Sequence, residues 1–397
     1  MKLEGLRVLD LSLFLPGPML TLMLADHGAE VIKLEPPPEG EPTRRIGLCQ
    51  AGASVWFRNT HRGKKSVSID LKDPRGREAV LRVAEGCDVL VESFRPGVMR
   101  RLGLDYETVA ARNPRIVYCS LSAFGQDGPL AARPAHDLAV QALSGLLACN
   151  LDREGRPINA HLPAADMAAS FVALAGVLIA LLRRERTGRG DCLDIAMLDS
   201  LLAWTVNVTG PVFAEDRAPY PPHERSFGGN AFYRIYRCKD GRFLALGGSE
   251  QKFVVNLLRA LNREDLAPLH AAGPGPHQAP LVAFLEETFA SRTLAEWEAF
   301  LAPLDLCWAP VLDLREAFRQ PQVEARSVLL RDEEGIPHIA PPIRFREEPA
   351  HPSFRLPALG EHNREVLARA GYGPEEIAAL EAAGVLFSEP PAHPHPP

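Results

Sequence analysis

Asp166 stands in Pro163-Ala164-Ala165-Asp166-Met167-Ala168-Ala169-Ser170, at the head of a run that stays small or apolar to Leu182 and then turns to Arg183-Arg184-Glu185-Arg186. That composition predicts a helix made for the interior. Pro163 suits its start, and the arginines suit the negative end of its dipole. A carboxylate in the first turn of such a helix can cap free backbone amides, or it can be a reactive group on the floor of a pocket. His136 and Asp137 lie in Arg133-Pro134-Ala135-His136-Asp137-Leu138, just ahead of the apolar segment 139–147. A His beside an Asp at a helix start can do acid–base work, or it is a capping Asp with an incidental neighbour. Glu250 follows Gly247-Gly248-Ser249 and opens a further helix, where a Glu is ordinary.

A basic set forms a third group. It comprises Arg62, Lys64 and Lys65 in His61-Arg62-Gly63-Lys64-Lys65-Ser66, with Arg95, Arg100 and Arg101 in Ser93-Phe94-Arg95-Pro96-Gly97-Val98-Met99-Arg100-Arg101. Both clusters fall at the ends of predicted strands, where open α/β sheets take their ligands. A phosphorylated ligand suits them, and so does a solvated charged face.

The elements that must position these residues alternate. Strand 7–11, the break Pro16-Gly17-Pro18, helix 19–27 and strand 29–34 make a β-α-β unit. Its apolar strands fit a parallel sheet. No G-x-G-x-x-G lies in the turn, which argues against a dinucleotide site. Strand 66–71, helix 74–85, strand 88–92, helix 106–113 and strand 116–120 continue the pattern of a doubly wound α/β domain. Residues 193–197 add a strand-like segment. From 231 the pattern changes to a hairpin, 233–237 and 243–247, turned by Lys239-Asp240-Gly241. Helices at 251–261, 280–290 and 293–301 follow it. The expected division is a large domain over 1–210, a linker at 211–230, a small α+β domain over 231–310, a return segment over 311–387, and a disordered tail at 388–397.

Composition bounds the function. A chain of 397 residues exceeds one ordinary core. Its 46% hydrophobic and 24% charged residues are those of a soluble globular protein. The net charge of −6 supplies no global basic field, which disfavours nucleic acid. The apolar run 168–182 is short for a membrane span, and the charged start Met1-Lys2-Leu3-Glu4 is unlike a secretory leader. The seven cysteines are dispersed with no C-x-x-C, so neither zinc nor a disulfide framework is indicated and the cytosol is the expected compartment.

Several motifs together resemble the class III CoA-transferase family, also called CaiB/BaiF, which includes α-methylacyl-CoA racemases. They are Leu15-Pro16-Gly17-Pro18, Ala25-Asp26-His27-Gly28-Ala29-Glu30-Val31-Ile32-Lys33, Arg62-Gly63-Lys64-Lys65-Ser66, Phe94-Arg95-Pro96-Gly97-Val98 and Arg101-Leu102-Gly103-Leu104. Ser122-Ala123-Phe124-Gly125-Gln126-Asp127-Gly128-Pro129, Thr187-Gly188-Arg189-Gly190 and Leu359-Gly360-Glu361-His362-Asn363 extend the resemblance over almost the whole chain. It implies a Rossmann-like large domain, a smaller domain and an interlocked, ring-shaped homodimer. It implies CoA contacts at His61, Arg62, Gly63, Lys64, Ser93, Phe94, Arg95, Arg101 and Asp137. The family often has Asn in place of Ser93. Asp166 falls on the family's catalytic aspartate. In transferases that carboxylate attacks the thioester; in racemases it is one of two bases.

The racemase branch pairs a His with this Asp and sets a Glu against the His, and His136, Asp166 and Glu250 match all three positions. Formyl-CoA-type transferases differ by a Tyr at 136, a Gln at 15 and a long glycine-rich loop, against the short Phe227-Gly228-Gly229-Asn230 here. The resemblance therefore implies racemisation of 2-methylacyl-CoA thioesters through an enolate, with CoA transfer as the alternative. It calls for no metal and no cofactor beyond the CoA of the substrate.

Overall fold

The computed structural model describes residues 1–152, 154–159 and 161–389. It divides into two compact units. The first comprises Met1–Leu143, Pro163–Trp204 and the chain from Glu324 onward; the second comprises Ser144–Leu162 and Thr205–Val323. Residues 144–162 and 311–323 thus sit with the second unit, where the sequence placed them in the large domain and its return segment. The stretch 211–230 is not a separate linker. It carries helical pieces such as Gly210–Glu215 and Arg225–Phe227, and Gly229 O accepts from Gly275 N at 3.0 Å.

The first unit is built on a parallel sheet. Its strands are β1 (Arg7–Asp10), β2 (Glu30–Glu35), β3 (Lys65–Ser68), β4 (Val89–Glu92), β5 (Val117–Ser122) and β6 (Asp191–Ala196). Their order is β3-β2-β1-β4-β5-β6, with every neighbour parallel. The order reverses between β1 and β4, so the loops after these two strands flank a switch point, the usual ligand crevice of open α/β sheets. Leu9, Ile32, Val67, Leu90 and Tyr118 supply the core on one face. The return segment is stitched to β3: Asn363 Oδ1 accepts from Ser68 N at 2.9 Å, and His362 N donates to Ser66 O at 2.9 Å. Of the expected disordered tail, Ser388 and Glu389 are tied down, with Ser388 Oγ 3.1 Å from Gly360 O and Glu389 N 3.0 Å from Leu359 O. Residues 390–397 lie outside the described residues.

The helix that carries Asp166 spans Ala164–Thr187 and ends at Gly188, whose φ of 71° is the left-handed closure glycine favours. The sequence expected it to be interior throughout, and the structure corrects this. Ala165, Ala168, Ala169, Ala173 and Val177 are buried, because small side chains let the helix approach its neighbours closely. Phe171, Leu178, Ile179 and Leu182 are exposed in the single chain. By length and composition this one helix could span a bilayer, and half of its apolar window is buried inside the protein.

The second unit holds an antiparallel sheet of Tyr233–Arg237, Phe243–Gly247 and Trp308–Pro310, with the middle segment central. The hairpin has the bounds read from the sequence. Helices Gln251–Ala260, Ala279–Ala290 and Leu294–Leu301 enclose a core of Tyr236, Leu257, Phe289 and Trp297. Trp297 Nε1 donates to Phe289 O at 2.9 Å, so the buried indole is satisfied.

Candidate active site

Pro163 precedes the long helix and offers no side-chain cap of its own. Asp137 supplies one from elsewhere: its Oδ1 accepts from Ala165 N at 2.8 Å and from Asp166 N at 3.2 Å, while its Oδ2 accepts from Gln141 Nε2 at 2.6 Å. A capping Asp had been one reading of this residue. The structure shows that the helix it caps is the one carrying Asp166. Asp137 and residues 165–166 are therefore joined directly, although 28 residues separate the bonded pair Asp137 and Ala165. The Asp137 carboxylate, expected among the CoA contacts, accepts these three hydrogen bonds from within the chain. It also occupies the helix-start amides that could otherwise have served an oxyanion.

The same arrangement sets the chemistry of Asp166. Its carboxyl is pushed up to about 7, first by burial and then by the adjacent negative charge of Asp137. The helix N-terminus favours the anion by only about 0.5 kcal/mol, too little to offset those terms. A carboxyl poised near neutrality can both take and give a proton. His136 lies just before helix Asp137–Leu143 and is exposed in the single chain. Its ring meets Phe14 edge to face, with centroids 5.7 Å apart at 86°. Glu250 belongs to the second unit, where it is the exposed N-cap of helix Gln251–Ala260.

The basic set splits in two. Arg62 is buried against Asp26 at 2.7 Å. Lys64 is buried with Nζ 3.2 Å from Asp10, 2.8 Å from Thr21 Oγ1 and 2.9 Å from Pro18 O. Burial brings its ammonium down to about 8 against the pull of Asp10. His61 is fully buried, stacked on Phe57, and held well below its usual range by burial and the nearby cations. These three were expected to contact CoA; in the structure all three side chains are buried and engaged with the protein's own groups. Arg62 follows the helix Val55–His61 and Lys64 precedes β3; both point inward, and Gly63 between them is exposed, at φ 72°. Lys65 is paired with Glu30 and Glu365.

Arg95, Arg100 and Arg101 behave differently. All three are exposed, and among the described residues none has a carboxylate partner. They follow β4, beside the switch point. Ser93 Oγ accepts from Leu13 N at 2.9 Å, which joins the two switch-point loops to each other, and half-buried Phe94 packs on the core. Among the described residues no cluster of His, Cys, Asp and Glu could hold a metal.

Residues 3–363 match the sequence model of CoA-transferase family III. The chain is 34% identical over 345 residues to acetyl-CoA:oxalate CoA-transferase of Acetobacter aceti, covering 83% of this chain and 85% of that one. It is 33% identical over 402 residues to alpha-methylacyl-CoA racemase of Mus musculus, covering 98% of each. The crystal structure of a CAIB/BAIF family protein from Brucella suis matches with a TM-score of 0.79 at 29% identity, over 93% of this chain and 99% of that one. With both the family's sequence pattern and its fold running through nearly its full length, this chain belongs to CoA-transferase family III.

Proposed function

We propose that the protein racemises 2-methylacyl-CoA thioesters by two-base proton exchange between Asp166 and His136. The observation that supports this reading is the Asp137 bridge, which joins the residue next to His136 to the helix start of Asp166 while helping to hold the Asp166 carboxyl near 7. Similarity to the Mus musculus racemase supports it.

For one epimer, the Asp166 carboxylate takes the α-proton. The C–H electron pair moves into the thioester carbonyl and gives an enolate. The His136 imidazolium then protonates the opposite face. Asp166 ends protonated and His136 neutral, which is the form that processes the other epimer. No redox partner or metal enters the balance. Arg95, Arg100 and Arg101 hold the CoA phosphates through charge-assisted bonds. The resemblance brings with it an interlocked homodimer in the cytosol, with CoA entering only as part of the substrate.

The similarity to the Acetobacter aceti transferase favours one second reading, in which Asp166 attacks the thioester and passes CoA to a free acid. Hydroxylamine trapping separates the two. Racemisation predicts no trapped acyl-enzyme and an Asp166→Ala variant that neither exchanges nor inverts the α-centre. A trapped acyl-enzyme with CoA transfer to added acid, and no α-exchange, would overturn the proposal.

A further inference from the structure

Three consecutive amides after β1 are each held by a different side chain. Asp10 Oδ1 accepts from Ser12 N at 2.9 Å, Ser93 Oγ accepts from Leu13 N at 2.9 Å, and Glu41 Oε1 accepts from Phe14 N at 2.9 Å. The third holds a backbone that resists its conformation, because Phe14 has φ 65°, in the left-handed region that a bulky side chain avoids. A turn built for solvent would place Gly or Asn there.

Glu41 is itself fully buried. Its other oxygen lies 3.6 Å from Lys33 Nζ, and Lys33 also reaches Asp10 at 3.5 Å and the Ser12 carbonyl. Glu41 N donates to Glu35 Oε2 at 2.8 Å, and Arg44 closes on Glu35 at 2.6 Å. A buried ionic network thus grips a strained loop, and such strain persists only where the surroundings over-determine it. What the loop presents is the Phe14 ring, set edge to face against His136. His136 is otherwise exposed, and among the described residues no other aromatic ring of the first unit packs on it.

We infer that Phe14, clamped by Glu41, is a positioning residue that holds the His136 imidazole in line with the α-carbon. This rests on the proposed racemase reading. Its consequence is asymmetric, because the ring that Phe14 meets is that of His136, one of the two proposed bases. When the imidazole loses its wall, Asp166 still removes the α-proton of the epimer that faces it. It then returns a solvent-derived deuteron to the same face, so exchange with retention survives while inversion is lost.

The test uses each enantiopure 2-methylacyl-CoA in deuterium oxide, with α-deuterium incorporation and optical purity followed together. For Phe14→Leu the rate of inversion should fall about ten- to a hundredfold, as for a reacting group displaced by an ångström. Exchange with retention should continue in one epimer only, so the ratio of exchange to inversion rises by the same factor. Phe14→Tyr should restore the wild-type ratio, and Glu41→Gln should raise it in the same direction. A fall of exchange and inversion together in Phe14→Leu, at an unchanged ratio, would overturn the inference. If the wild-type protein neither exchanges nor inverts, the racemase reading itself fails.

Discussion

Replacing Asp166 by Asn should stabilise the protein, and only where the wild-type carboxyl is ionised. The native carboxyl titrates at about 7, against an ordinary value of 3.8, with burial the main cause and Asp137 the second. Raising a carboxyl in the folded state favours the folded protein while the group is protonated. That contribution is complete below about pH 4 and is lost as the pH rises through 7. A span of about 3 pK units at about 1.4 kcal/mol each is about 4 kcal/mol. Asn has the same shape and no charge, so it should match the wild type at pH 4. By pH 8 it should be more stable by about 2–4 kcal/mol, the lower figure allowing for partial exposure. Urea denaturation of both proteins at a series of pH values between 4 and 8.5 gives the difference directly. A stability difference that does not change with pH, or that favours Asp at pH 8, would refute the account of Asp166 as a destabilised, near-neutral group. The loss of activity expected in the same variant makes this a site where stability is sacrificed for chemistry.

Other outcomes follow from the same contacts. Asp137→Ala removes both the cap and the like charge: stability should fall by about 1 kcal/mol, and the acid limb of the pH–rate profile should move to lower pH because Asp166 ionises more readily. Lys64→Met should cost about 3–5 kcal/mol in a urea melt, as expected for a broken buried pair. If Lys64 instead served CoA, the same change would raise KM and leave stability alone. The double change Arg95→Ala, Arg101→Ala should raise KM for the acyl-CoA at least about tenfold and flatten its salt dependence. Stability should stay within about 0.5 kcal/mol in that variant, since both side chains are exposed.

Elements of both units could be read from pattern alone. The helix Pro74–Glu85 and the hairpin Tyr233–Arg237 with Phe243–Gly247 were placed to the residue, because a proline start, a turn Asp-Gly and clean periodicity are local signals. Asp166 stood out because one carboxylate in a long apolar run is conspicuous, but only the family resemblance favoured a reactive group over a cap. The direction in which Arg62 and Lys64 point was not legible, because inward cations need partners such as Asp26 and Asp10 that lie far away in sequence. The role of Asp137 was hidden for the same reason: a cap is normally sought next to its own helix, and this one crosses to another. Phe14 carried no signal at all, since nothing local distinguishes a phenylalanine at positive φ whose amide is held by a distant glutamate. The membership of 144–162 in the second unit was equally silent, as short helical pieces do not announce which core they join.

One incubation bears on the central claim without any variant. An enantiopure 2-methylacyl-CoA is mixed with the enzyme in deuterium oxide, free carboxylic acid is withheld, and deuterium at C2 and optical purity are followed by NMR and chiral chromatography. If Asp166 and His136 pass a proton across the α-carbon, label enters C2 and the sample drifts to a racemic mixture with no CoA released. If the starting enantiomer persists unlabelled while the enzyme turns over on addition of an acceptor acid, the paired bases are not what this site is built for.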